Sequence, residues 1–110
     1  MALVVRAKNE EQTVLACCGD VKVVENAWYY DPNKVETQYL KKTERTYNCP
    51  YKGVAHWYDL EAPGVSGKNV AWVYEHPSTG FEHIAGLIAF YERETSMTTA
   101  AQEEQIEDIA

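Results

Sequence analysis

The sequence predicts an all-β domain, and three observations support this prediction. Runs of apolar, β-branched and aromatic residues are short and numerous, turn-forming residues separate them, and little of the chain reads as helix. A chain of 110 residues suits one domain with one hydrophobic core. We therefore expect packed antiparallel sheets over residues 1–92 and an acidic tail over residues 93–110.

The first third of the chain predicts four short strands and a turn. The strands are expected at residues 2–7, 13–17, 21–25 and 27–30. Gly19 and Asp20 lie between two apolar runs, which is typical of a tight hairpin. Asp31 before Pro32 resembles a cap followed by proline at the first helical position, so a brief helical turn is expected at residues 31–35.

The middle of the chain predicts exposed strands, then a turn, then strands with two buried faces. Residues 37–48 are polar and carry several charges, which is typical of an edge or solvent-facing strand pair. A turn is expected at residues 49–53. Residues 54–60 and 69–74 alternate as strands do and are rich in aromatic residues, and residues 86–91 provide a last apolar strand.

The acidic tail is predicted to be a short helix or a frayed segment. Thr99 and Gln102 have the spacing of a capping box, and Ile106 and Ile109 provide a thin apolar stripe. A helix of this length is marginal by itself. Because residues 92–110 contain six acids and one base, the tail is also a candidate segment for binding a protein partner.

Charge and hydropathy exclude two classes of partner. The formal net charge is −7, and residues 1–91 carry 11 acids and 9 bases without a basic stripe, so nucleic acid is not an expected partner. Apolar segments stay well short of the ~20 residues that a membrane span needs, and the N-terminal run is too short for a signal peptide. These observations predict a cytoplasmic protein with free thiols and no membrane partner.

The cysteines do not predict a metal site. Cys17, Cys18 and Cys49 contain no C-x-x-C pair, and the three histidines have no paired spacing with a cysteine or with each other. We therefore expect no structural zinc and no cofactor.

The most specific segment is residues 49–53, which place a thiol, a phenol and an ammonium group in one turn. A nearby ammonium group favours the thiolate, so Cys49 and Lys52 are candidate catalytic residues, with Cys49 as a nucleophile or redox thiol. The alternative is a buried cysteine that packs as a small hydrophobic residue. Lys52 either holds a carboxylate or phosphate of a ligand or forms an ion pair with an acid such as Glu25.

Aromatic residues are candidates for the walls of a binding site. The chain has eight Tyr and three Trp but only two Phe, a composition typical of half-buried surfaces that keep a polar group near a partner. Aromatic residues at strand spacing also pack in cores, so both interpretations stay open. The favoured function is small-molecule binding, and the alternative is an enzyme that uses Cys49. The candidate ligand-binding residues are Glu25, Tyr30, Tyr51, Trp57, Trp72 and Tyr74.

Several blocks of the sequence resemble a family of small proteins catalogued as a domain of unknown function. The most specific blocks are C-P-Y-K-G-V-A at residues 49–55 and A-W-V-Y at residues 71–74, and V-V-E-N at residues 23–26 precedes them. The resemblance covers about residues 6 to 91. Family members are single β-rich domains from bacteria and fungi, and some carry a nucleotidyltransferase label.

The resemblance implies a β-tent-like fold, shared in outline with zinc-binding methionine sulfoxide reductases and with the ligand-binding domain of cereblon. Those relatives carry paired C-x-x-C motifs that this chain lacks, so the resemblance does not bring zinc with it. The nucleotidyltransferase label finds no support in the residues, because a metal-dependent transferase needs clustered carboxylates to hold magnesium against phosphates. The sequence departs from the family after Phe90, so the closing strand is expected to be short or absent.

Overall fold

A computed structural model of the chain describes residues 2–19, 21–25, 27–90 and 100–105. In this part of the chain, nine strands and three short 3-10 helices occur, and the strands form two antiparallel sheets. The prediction of an all-β, antiparallel fold is confirmed. The strands are β1 (Ala2–Ala7), β2 (Val14–Cys18), β3 (Lys22–Val24), β4 (Ala27–Tyr30), β5 (Leu40–Cys49), β6 (Gly53–Ala62), β7 (Val65–Val73), β8 (Ile88–Phe90) and β9 (Ala100–Gln105).

The smaller sheet has three strands in the order β2-β1-β9. β9 pairs with β1 from Ala2 opposite Gln105 to Ala7 opposite Ala100. The helix prediction is therefore wrong for residues 100–105. Pairing with β1 satisfies the backbone groups that the two strands turn toward each other, whereas a short helix without packing is marginal. β9 extends the sheet beyond residue 92, and the rest of the predicted tail lies outside the described residues.

The larger sheet has six strands in the order β3-β4-β8-β7-β6-β5. The hairpin predicted around Gly19 is wrong, because β2 pairs with β1 and β3 pairs with β4 in different sheets. A turn signal marks where the chain bends but does not specify which neighbours the flanking strands choose. Asp20 lies outside the described residues.

Between β4 and β6, the chain forms two 3-10 helices and the strand β5. Pro32–Lys34 form a 3-10 helix, and the Asp31 side chain accepts a hydrogen bond of 2.8 Å from the backbone N–H of Asn33, so the predicted capped turn is confirmed. A second 3-10 helix, Thr37–Tyr39, precedes the long strand β5. β5 forms one edge of the six-stranded sheet, as its charges predict, but as a single strand and not a pair.

The two faces of the six-stranded sheet are covered differently. Its inner face packs against the three-stranded sheet and buries Tyr30, Leu60 and Phe90 together with Val5 and Leu15. Its outer face carries a second apolar cluster, to which residues 81–87 contribute. The buried members of this outer cluster are Tyr29, Cys49, Ala55, Tyr74, Ile84 and Ala89. None of the helices in the described residues is long and apolar enough to cross a membrane.

Candidate functional site

A row of aromatic side chains crosses the outer face of the six-stranded sheet. Tyr29 and Trp72 both lie opposite Ala89, and Trp57 lies opposite Trp72, so these four side chains share one face. The small side chain of Ala89 lets Tyr29 and Trp72 meet edge to face, with ring centroids 6.2 Å apart. Trp57 and Trp72 are similarly arranged at 5.9 Å. The row forms one aromatic surface across four strands.

The structure places Tyr29, and not Tyr30, in this row. Adjacent side chains of a strand point to opposite faces, so Tyr30 faces the other sheet, where it is 0% exposed. Its hydroxyl donates a hydrogen bond of 3.0 Å to the backbone carbonyl of Leu3 in β1. Tyr29 instead accepts a hydrogen bond of 3.1 Å from the indole N–H of Trp72. Tyr30 is therefore a core residue, and sequence reasoning missed Tyr29.

The turn between β5 and β6 positions the thiol and the ammonium group. Cys49 pairs with Gly53 across the turn, and Gly53 has a left-handed φ of 105°. A Cβ at Gly53 would lie 3.3 Å from the side-chain oxygen of Ser78, so this position favours glycine for two reasons. The backbone N–H of Ser78 donates a hydrogen bond of 2.9 Å to the carbonyl of Lys52, which ties the turn to the loop after β7.

Lys52 is a buried cation, with only 7% of the residue exposed. Its Nζ atom forms an ion pair with the Glu25 carboxylate, as one of the two interpretations of the sequence predicted. The same atom lies 6.0 Å from the centroid of the Tyr74 ring and 5.8 Å from that of the Phe81 ring. Burial lowers the pKa of Lys52, but Glu25 and Cys49 together raise it by more. The pKa of Lys52 is therefore above its ordinary value, and the side chain stays charged.

Glu25 reaches Lys52 from the surface. It lies in the turn between β3 and β4 and has a left-handed φ of 52°, which tight hairpin turns require. Its side chain is 63% exposed, whereas the Lys52 side chain is 9% exposed. The ion pair therefore joins a fixed, buried cation to a carboxylate that is largely in water.

Cys49 lies at the start of the same turn as Lys52. Its Sγ atom accepts a hydrogen bond of 3.4 Å from the backbone N–H of Lys52. This bond lowers the pKa of the Cys49 thiol; burial opposes the shift, while the Tyr51 backbone N–H and the Lys52 charge add to it. Burial raises the pKa of Tyr74, and the neighbouring Cys49 raises it further, so Tyr74 is a neutral phenol.

The structure brings together four of the predicted site residues and separates others. Cys49, Lys52, Glu25 and Tyr74 form one cluster, which we call the lysine site. Trp72 packs against the outer cluster, which contains Cys49 and Tyr74, and its ring contacts the ring of Trp57. Tyr51 is 71% exposed at the tip of the turn, and Tyr30 lies on the inner face.

Phe81 is the second residue that sequence reasoning missed. It lies in the loop between β7 and β8, which no strand pattern connects to the turn at residues 49–53. Its place beside Lys52 follows from hydrogen bonds within that loop, including one of 3.0 Å from the Phe81 N–H to the carbonyl of Ser78. Gly80, the residue before Phe81, predicts a turn but does not indicate that Phe81 contacts Lys52.

Donors for a metal ion are not clustered in the described part of the chain. Among those residues, no three His, Cys, Asp or Glu side chains lie close enough to hold an ion together. Cys17 is exposed on β2 and Cys18 is partly buried, and neither forms a disulfide within the described residues. What the lysine site offers chemically is a buried ammonium group, a thiol and a neutral phenol beside aromatic rings.

Two packed antiparallel sheets with a buried lysine on the outer face define a small all-β domain. The family model NTP_transf_9, described as a domain of unknown function (DUF427), matches residues 3–102. The chain belongs to this family, and the resemblance seen in the sequence is confirmed. The match spans the whole lysine site and reaches into β9. No curated protein matches the chain.

Proposed function

We propose that the protein binds a small molecule at the lysine site, with Lys52 as the polar anchor and the aromatic row as an apolar wall. The observation that supports this proposal is a lysine only 7% exposed whose ammonium group lies close to two aromatic rings. Burying a charge is costly even when it is paired, and an apolar side chain of similar size would fill the same space at lower cost. A buried cation at this position therefore suggests a function other than stability.

The surroundings of Lys52 support this proposal. Binding sites for small molecules are mostly apolar, with few polar groups that fix the orientation of the ligand. Trp72, Phe81 and Leu87 are partly buried and pack against the outer cluster, so each keeps some surface in contact with solvent. A flat ligand could stack on such rings while one of its polar groups meets Lys52.

A screen for ligands tests the proposal. Native mass spectrometry and thermal shift of the wild type against a broad set of metabolites should identify a compound that raises the melting temperature. The same compound should not stabilise Lys52→Met, which removes the ammonium group and keeps most of the side chain. Lys42→Met is the matched control, since Lys42 forms an ion pair with Glu75 away from this site.

Two results would contradict binding at the lysine site. One is a screen in which the wild type retains no compound and is stabilised by none. The other is a compound that stabilises Lys52→Met and Lys42→Met equally, because its binding would then not depend on the buried cation.

A second candidate function is thiol chemistry at Cys49, as a nucleophile or redox group activated by Lys52. The specific observation in its favour is the hydrogen bond from the Lys52 N–H to Sγ, which favours the thiolate. Burial of Cys49 to 8% exposure weighs against it, because a reactive thiol must meet its substrate. Binding is the better supported function. Cytoplasmic localisation and a protein partner for the acidic tail stay predictions.

A further inference from the structure

We infer that the ligand of the lysine site carries a carboxylate group, and that this carboxylate replaces Glu25 on the Lys52 ammonium group. The inference rests on the function proposed above and adds a ligand class and a competing side chain to it. Glu25 would then occupy the anchor in the absence of ligand, as an internal substitute for the ligand's own carboxylate.

Glu25 is placed so that it can leave. Its side chain is 63% exposed, and it lies in the turn of a hairpin whose strand β3 has three residues and forms an edge of the sheet. A carboxylate that swings out from this turn regains its hydration, and the incoming carboxylate would restore the ion pair that Lys52 loses. Few contacts therefore oppose its displacement.

Lys52, in contrast, is held in place. Its backbone N–H donates to Sγ of Cys49 and its carbonyl accepts from Ser78, so the peptide groups before and after the residue are both fixed. Its ammonium group lies within 6.0 Å of the centroids of the Tyr74 and Phe81 rings. Within the described residues, Glu25 is the acid that forms an ion pair with it. When Glu25 leaves, a buried cation needs a new acceptor, which favours an incoming anion.

The charge of the lysine site fits a carboxylate better than a phosphate. Among the described residues, the titratable groups with the largest effect on Lys52 are Glu25, Cys49 and Tyr29, and none of these three is a cation. Phosphate carries more charge than one ammonium group balances, and sites that bind it usually add further cations or several backbone N–H groups. A carboxylate has the charge and the shape of the group it would replace.

The body of the ligand would lie against the Phe81 ring. Phe81 is partly buried, and its centroid is 5.8 Å from the ammonium group, so an apolar group next to the carboxylate could contact it. Aromatic carboxylates meet both requirements. Benzoate is the simplest probe of this class, and benzamide is its neutral analogue of the same shape.

Calorimetric titration with benzoate, benzamide and inorganic phosphate tests the inference. Benzoate should bind the wild type, and Glu25→Gln should bind it about tenfold tighter, because the competing carboxylate is gone. Benzamide and phosphate should bind the wild type at least about tenfold more weakly than benzoate. Glu75→Gln is the matched control, since it removes the partner of the exposed Lys42 and should leave benzoate affinity unchanged.

Several outcomes would overturn the inference. Equal benzoate affinity in the wild type and Glu25→Gln would show that Glu25 does not compete, and weaker affinity in Glu25→Gln would show that Glu25 positions Lys52. Tighter binding of phosphate or benzamide would remove the carboxylate class. These outcomes overturn the carboxylate class or the displacement of Glu25, but not small-molecule binding at the lysine site. A compound without a carboxylate that stabilises the wild type but not Lys52→Met would support that binding.

A measurement on the wild type covers the case in which Glu25→Gln does not fold. During a benzoate titration, the NMR signals of the Lys52 Nζ nitrogen and the Glu25 carboxylate carbon should shift with one shared dissociation constant. A Glu25 signal that stays constant while benzoate binds would overturn the displacement.

Discussion

Tyr29 and Tyr30 are neighbours in β4, and both are almost fully buried, yet they belong to two different environments. Tyr30 faces the other sheet, packs edge to face on Phe90 at 6.0 Å, and donates its hydrogen bond to a backbone carbonyl. Tyr29 faces the outer cluster, near the charges of Lys52 and Glu25. Under the proposed function, the inner face serves stability, whereas the outer face also holds a half-buried ion pair that stability alone does not require.

The largest expected effect concerns the inner face. Tyr30→Ala should lower the free energy of unfolding by about 3–5 kcal/mol, because it leaves a cavity between the sheets and removes a buried hydrogen bond. Urea denaturation followed by circular dichroism measures the change. Tyr51→Ala is the exposed control and should stay within about 0.5 kcal/mol of the wild type. Equal losses in the two variants would contradict the distinction between buried core and exposed turn.

A smaller effect is expected from breaking the ion pair on the outer face. Glu25→Gln should lower the free energy of unfolding by about 1–3 kcal/mol, because it leaves the buried Lys52 cation without its carboxylate. Lys52→Met should cost less, since the charge is removed and Glu25 returns to water. The same urea titrations measure both variants. If Lys52→Met were the more damaging of the two, the buried cation would be there for stability, and the contrast between the faces would fail.

The third prediction concerns reactivity at the outer face. In a Cys17→Ser, Cys18→Ser background, the rate of Cys49 alkylation by iodoacetamide should rise with pH around a midpoint below about 8.5, the usual thiol pKa. Lys52→Met should move the midpoint only part of the way back, because the backbone N–H that contributes most to the lowered pKa is kept.

The lowered pKa of Cys49 also makes the free energy of unfolding depend on pH. The folded state favours the Cys49 thiolate, so its contribution to stability is fully present above the pKa of the unfolded chain and is lost as the pH falls through the folded pKa. A midpoint at or above that of an ordinary thiol would show that the hydrogen bond to Sγ does not activate Cys49. Thiol chemistry would then lose its main support.

Local features of the sequence were sufficient for several elements. Asp31 before Pro32 predicted the capped turn, since a cap residue directly precedes its helical turn in the sequence. The charges of residues 37–48 predicted an edge or solvent-facing strand pair, and the edge is formed by the single strand β5. The Lys52–Glu25 ion pair was one of two open interpretations, and the hairpin turn that carries Glu25 brings it to the buried ammonium group.

Features that depend on distant pairing were not predictable in this way. β9 is a strand because β1 offers it a partner almost 100 residues away along the chain, and its own residues fit a helix cap equally well. Tyr29 and Tyr30 have the same side chain, so composition cannot distinguish them. Only the register of β4 against β8 decides which of the two joins Trp72, because a shift of one residue exchanges the faces.

The sequence by itself determined the fold class, the family and the turn at residues 49–53, because these depend on residue type and short spacing. The tertiary structure alone decided that Lys52 is buried between two rings while Glu25 stays exposed. Burial is the result of packing between segments that are far apart in the chain, and packing turns an ordinary lysine in a turn into the anchor of a candidate binding site.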